Sequence, residues 1–91
     1  MLSKAKLEEV LKGMGLTDAK ILVEGNAGHL VAKVVSSAFN DQDEAARQAR
    51  VWGYLYEKLT EAENTEVEFV FTVTPSEEDF RRFEDLAGSQ V

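Results

Sequence analysis

The sequence holds one imidazole, His29, and no cysteine, so nucleophilic catalysis has few candidates. No motif sets a serine beside His29, and the serines read as structural. His29 follows the glycine-rich turn Glu24-Gly25-Asn26-Ala27-Gly28 and opens a β-rich segment. An imidazole in that place is exposed enough to ligate a metal, but carboxylates or a partner would have to supply the other donors. The simpler reading is a strand-end histidine hydrogen-bonded locally. Glu66 and Glu68 share one face of a later strand and offer paired carboxylates for acid–base work, although alternating Glu among Val and Phe is the usual pattern of a solvated strand face. Gly25-Asn26-Ala27-Gly28 matches the G-x-x-G that clamps a nucleic-acid backbone between two helices, but here it joins two strands and a hairpin explains both glycines. Arg47 and Arg50, three apart on a helix, form the one basic pair in reach of each other, with a solvated helix face as the plainer alternative.

Charge bears on the partner class. The chain of 91 residues carries a net charge of −7. Residues 1–40 have five basic and four acidic groups, and residues 41–91 have five and thirteen. Affinity for a phosphate backbone comes from clustered Lys and Arg, so nucleic acid is not the expected partner. No run of 18 apolar residues occurs and the first nine residues lack the apolar core of a signal peptide. The expectation is a soluble cytoplasmic chain with no membrane partner, one domain over residues 1–91, with 88–91 a frayed tail. A chain of this size buries only about 60–65% of its unfolded surface, so its stability margin is small.

The elements that must position these groups follow from periodicity. Leu7, Val10, Leu11 and Met14 mark a helix entered at Ser3 and stopped at Gly13 or Gly15. Ala19–Glu24 and Leu30–Ser36 read as two strands of an antiparallel hairpin. Asp41-Gln42-Asp43-Glu44 caps a long helix, with an optional short helical turn before it. Its apolar stripe is read as Ala45, Ala49, Trp52, Leu55, Tyr56 and Leu59, and Glu61-Ala62-Glu63-Asn64 ends it. Trp52 is expected to be buried against the sheet and Gly53 to mark a close approach. Val67, Phe69, Phe71 and Val73 alternate with polar residues as a third strand, with those four facing inward. Thr74-Pro75-Ser76-Glu77 is a capping box with proline at the first helical position. The helix it opens has Phe80, Phe83 and Ala87 on one stripe, and Arg81 and Arg82 in solvent. The order α-β-β-α-β-α gives an α+β fold, a three-stranded sheet with helices on one face.

Gly28-His29-Leu30 followed by Val34-Val35-Ser36, then Phe39, resembles the BolA family's His-Phe strand ending in Val-Ser, with a Phe three residues beyond. Arg47, Val51, Trp52 and Leu55 hold matching or similar places in that family's Arg-His-Arg-x-Val-Tyr-x-x-Leu helix, and Thr74-Pro75-Ser76-Glu77 resembles its Thr-Pro-x-Glu. The resemblance spans about residues 5 to 80 and implies a class II KH-like fold. It also implies a non-enzymatic partner of monothiol glutaredoxins, sharing a [2Fe–2S] cluster, or a DNA-binding transcriptional regulator as in some bacteria. Partner contacts would then fall on Gly28, His29, Arg47 and Arg50, with His29 the metal ligand only to a cluster that the partner supplies and docking on the partner without ligation as the alternative. An acidic interaction module without cluster or nucleic acid is a third possibility. The departures are Gln48 and Ala49 in place of the motif's second His and Arg, Asp41 in place of a Gly, and Glu66 or Glu68 where the family has its C-terminal, cluster-ligating His.

Overall fold

Ser3 opens the first helix by accepting the Lys6 amide on its hydroxyl, and the apolar stripe that follows buries Leu7 and Leu11. In the computed structural model, which describes residues 1–26 and 28–78, this helix is α1 (Lys4–Lys12), followed by β1 (Lys20–Asn26) and β2 (His29–Val35). A 3-10 turn (Ser37–Phe39) leads to α2 (Glu44–Lys58), then α3 (Glu61–Asn64), β3 (Val67–Val73) and α4 (Pro75–Glu78). The expected stripe of Phe80, Phe83 and Ala87, the solvated Arg81 and Arg82 and the tail 88–91 lie outside the described residues.

The sheet runs β1-β2-β3. β1 and β2 are antiparallel, while β3 lies parallel to β2 because α2 and α3 form the crossover between them. The fold is therefore α+β with a mixed three-stranded sheet. Leu30, Ala32 and Val34 of β2 meet Leu7 and Leu11 of α1, Val51 and Leu55 of α2, and Phe39 in one apolar core. Each of these residues is at most 1% exposed, so they hold the chain together. Ser36 closes the end of β2: its hydroxyl donates to Thr17 O at 2.7 Å and accepts the Ala38 amide at 3.0 Å. The short turn before α2 thus has a specific cap.

Several expectations from the sequence are corrected. The buried face of α2 carries Arg47, Val51 and Leu55, while Ala45, Ala49 and Tyr56 are exposed. A stripe built from apolar residues alone was rotated, because two polar side chains on the inner face are satisfied there. Gln48 donates to Val70 O (2.8 Å) and accepts from Trp52 Nε1 (3.0 Å). Trp52 is consequently half-buried at the edge of the core. Gly53 is exposed, and a Cβ there would meet nothing within 4 Å, so it marks no close approach.

Strand β3 is also turned relative to the simple alternation. Leu30 pairs with Val67 but Val31 pairs with Phe69, so Glu68 is an extra residue in a β-bulge. Past the bulge, Val70 and Thr72 pair with the inward Ala32 and Val34, and Phe69 is 42% exposed. Glu61–Asn64 does not end α2; it is a separate short helix. The chain leaves α2 at Leu59 in an extended conformation, and Thr60 restarts it with a complete capping box to Glu63. The box at Thr74 is present as expected, with Glu77 N donating to Thr74 Oγ1 (3.1 Å) and Thr74 N to Glu77 Oε1 (2.9 Å).

Candidate functional site

The hairpin turn places His29. Asn26 pairs with His29, so the strands run closer to the turn than the sequence indicated. Gly25 sits at φ 113° with the His29 carbonyl oxygen only 2.2 Å from where a Cβ would stand. No other residue type fits at position 25 without moving the strand that carries His29. Gly28, at φ 86°, completes the reversal, which is why the two glycines belong to a hairpin and not to a clamp between helices.

His29 projects from the first residue of β2 with 74% of its side chain exposed, and its Nδ1 lies 2.6 Å from Glu68 Oε2. The two strands are parallel and both begin at this end of the sheet, and the bulge adds the residue that meets the ring. An ionised carboxylate can only accept, so Nδ1 is the donor in this contact, and in a neutral ring Nε2 is the atom that offers a lone pair. This is the arrangement in which a carboxylate orients a ligating imidazole. Of the two glutamates weighed as paired carboxylates, Glu66 is used elsewhere: its Oε1 accepts the Leu2 amide at 3.0 Å, and its carbonyl accepts the Leu30 amide. They do not face one another as an acid–base couple. Among the described residues no cluster of three or more His, Asp or Glu side chains forms a metal cage.

The arginines are not part of this end of the molecule. Arg47, read from the sequence as a solvated, partner-contacting residue, is 7% exposed. Its guanidinium makes two bonds to Glu77 (2.7 and 3.2 Å) and others to Gln42 O (2.9 Å) and Thr72 O (3.1 Å), and lies 5.9 Å from the Phe39 ring centroid. The Glu77 hydrogen bond, opposed by burial and aided by the nearby charges of Glu77, Glu44 and Asp43, holds Arg47 more firmly charged than an ordinary arginine. Planar bidentate pairing of this kind suits Arg and not Lys, and its work here is to fix α2 and α4 at the end of β3. Thr72 lies four residues beyond Glu68, or roughly 13 Å along a strand, so Arg47 and His29 cannot form one patch. Arg50 is exposed, with a long 3.5 Å contact to Gln42.

A groove of about 610 Å³ opens beside Glu68, lined by Trp52, Tyr56, Glu61, Asn64, Thr65 and Val67 as well. Sequence reasoning assigned Trp52 and Tyr56 to the core. The sign that they line a surface was the acidic, apolar-poor stretch that follows them.

The architecture is the BolA-like fold. The chain is similar to a BolA homologue from Coxiella burnetii at a TM-score of 0.68 and 21% identity, over 87% of this chain and 99% of the other. It is similar to BolA1 from Arabidopsis thaliana at 0.65 and 20%, over 85% and 98%, and to a Bol-like protein from Babesia bovis at 0.58 and 24%, over 88% and 93%. No family model matches the sequence, and no curated protein matches it. The likeness therefore lies in structure more than in sequence, and the chain is BolA-like in fold. Among the described residues no helix is long and apolar enough to cross a membrane.

Proposed function

We propose that this chain is a divergent, non-enzymatic BolA-like protein that docks on a monothiol glutaredoxin or another iron–sulfur assembly component, and that His29 is its single donor to a partner-held [2Fe–2S] cluster. The observation that carries the reading is the 2.6 Å contact between His29 Nδ1 and Glu68, which orients an exposed ring and engages the nitrogen that a ligating imidazole does not use. The donor set suits one position on one iron. Glu68 is engaged with the imidazole, and carboxylate oxygens are harder donors than such clusters ordinarily take. The remaining ligands must come from the partner, which suits an adaptor and not a self-contained metalloprotein. Gly25 and Gly28 serve the site indirectly by holding the hairpin that presents His29.

Mixing the chain with cluster-loaded and cluster-free monothiol glutaredoxin and separating the products by size tests the role. The expected result is a complex with the loaded form that is depleted with the cluster-free form. Absence of a complex with the loaded form would remove the proposal.

A further inference from the structure

The groove between α2, α3 and the start of β3 has a composition that selects a particular guest. Trp52 and Tyr56, one helical turn apart, present rings 5.9 Å apart and tilted 35°. Tyr56 is 67% exposed, although an aromatic side chain on a small domain would bury readily. Glu61 and Glu68 add two carboxylates, and no Lys or Arg is among the lining residues. The C-terminal end of α2 lies at the same place, adding negative potential from its last carbonyls.

Asn64 builds the floor of the groove. It is 8% exposed and its Nδ2 donates to Leu55 O (3.2 Å), Leu59 O (3.4 Å) and Thr60 O (3.2 Å), closing the end of α2. Three carbonyls around that atom fix the amide's orientation, so the other atom is the oxygen. That Oδ1 is buried and has no hydrogen-bond partner. A buried acceptor without a donor is uncommon, and this one belongs to a residue lining the groove.

We infer that the groove binds an arginine side chain presented by a loop or terminus of a protein partner. A guanidinium stacks on the faces of Trp52 and Tyr56 and meets the carboxylates of Glu61 and Glu68. A lysine ammonium brings the charge without the plane, and a neutral side chain brings neither. This surface shares Glu68 with His29 but does not use Nε2, and the cluster-free chain with the Glu61 and Tyr56 variants tests it separately from the cluster proposal.

Trp52 is the one tryptophan in the chain, so its fluorescence reports the groove directly. The experiment titrates the cluster-free chain at low salt with a capped Gly-Arg-Gly peptide, and with the same peptide carrying lysine or citrulline. The expected result is a saturable fluorescence change with arginine, a weaker one with lysine and none with citrulline. With Glu61→Gln the half-saturating arginine-peptide concentration should rise about threefold or more, and with Tyr56→Ala by a similar factor. Both residues are exposed, so the folded state survives these changes. No saturable change with the arginine peptide, an equal response to citrulline, or full binding by both variants would overturn the inference.

Discussion

His29 Nδ1 and Glu68 Oε2 meet at 2.6 Å where a β-bulge gives β3 one residue more than β2. Val67 pairs with Leu30 and both are buried, so Glu68 follows on the exposed face of the sheet, the face that carries His29. Both side chains are largely exposed, so the pair adds little to stability and its value lies in orienting the imidazole. Glu68→Gln should leave the denaturation midpoint within about 0.5 kcal/mol of wild type, while weakening any metal-dependent association by roughly tenfold or more. Urea unfolding and partner titration on the same variant check the two halves.

Arg47 and Glu77 carry the opposite expectation. Glu77→Ala removes the paired carboxylate from a buried guanidinium that keeps Gln42 O and Thr72 O, and with the Glu77 side chain itself 40% exposed it should cost about 1–3 kcal/mol, detectable as a fall in the urea midpoint. A shift no larger than that of an exposed control such as Arg50→Ala would show that the pair does not hold α2 to α4.

Gly53 and Trp52 test the corrected face of α2. Gly53→Ala should stabilise by about 0.5–1 kcal/mol, since alanine is the better helix former and the added methyl meets open space. Trp52→Ala should cost roughly 1–2 kcal/mol and not the larger amount of a fully buried tryptophan. Chemical denaturation of both variants measures the signs.

Acid should weaken the fold through two carboxylates. The hydrogen bond from Lys20, followed by that from Lys33, holds Glu78 below the ordinary glutamate value of 4.5 against the effect of burial. Lys6, and then the Thr60 amide, do the same for Glu63. A folded pKa below the unfolded one gives a stabilisation that is fully present above the unfolded value and disappears as the pH falls through the folded one. The urea midpoint should therefore drop below about pH 4.5, and less steeply in Glu78→Gln than in wild type. A midpoint that rises on acidification would contradict these ion pairs.

Nucleic acid should not bind at about 150 mM salt, where phosphate contacts are screened and this chain has few clustered cations to offer. The burial of Arg47 removes one member of the basic pair that the sequence presented. Micromolar affinity for duplex DNA, lost on Arg50→Glu, would favour the regulator.

The sequence made the element order legible wherever one rule governed an element: Ser3 as cap, the glycine hairpin, and the Thr74–Glu77 box. It misled where two rules competed. Gln48 and Arg47 lie on the inner face of α2 because β3 carbonyls and Glu77 satisfy them, which a hydrophobic pattern does not register. The β3 bulge reversed Phe69 in the same way, since alternation assumes an unbroken ladder. His29 was identifiable by elimination, but its partner was not. Glu68 gains its role from a parallel pairing that depends on the whole β2-α2-β3 crossover.

The most direct test follows the visible absorption and circular dichroism of a [2Fe–2S]-loaded monothiol glutaredoxin titrated with wild type, His29→Ala and Glu68→Gln. Ligation by His29 predicts that wild type shifts the charge-transfer bands to saturation, that Glu68→Gln does so only at higher concentration, and that His29→Ala leaves them unchanged. Identical spectra with wild type and His29→Ala would contradict ligation and reduce the chain to a docking surface.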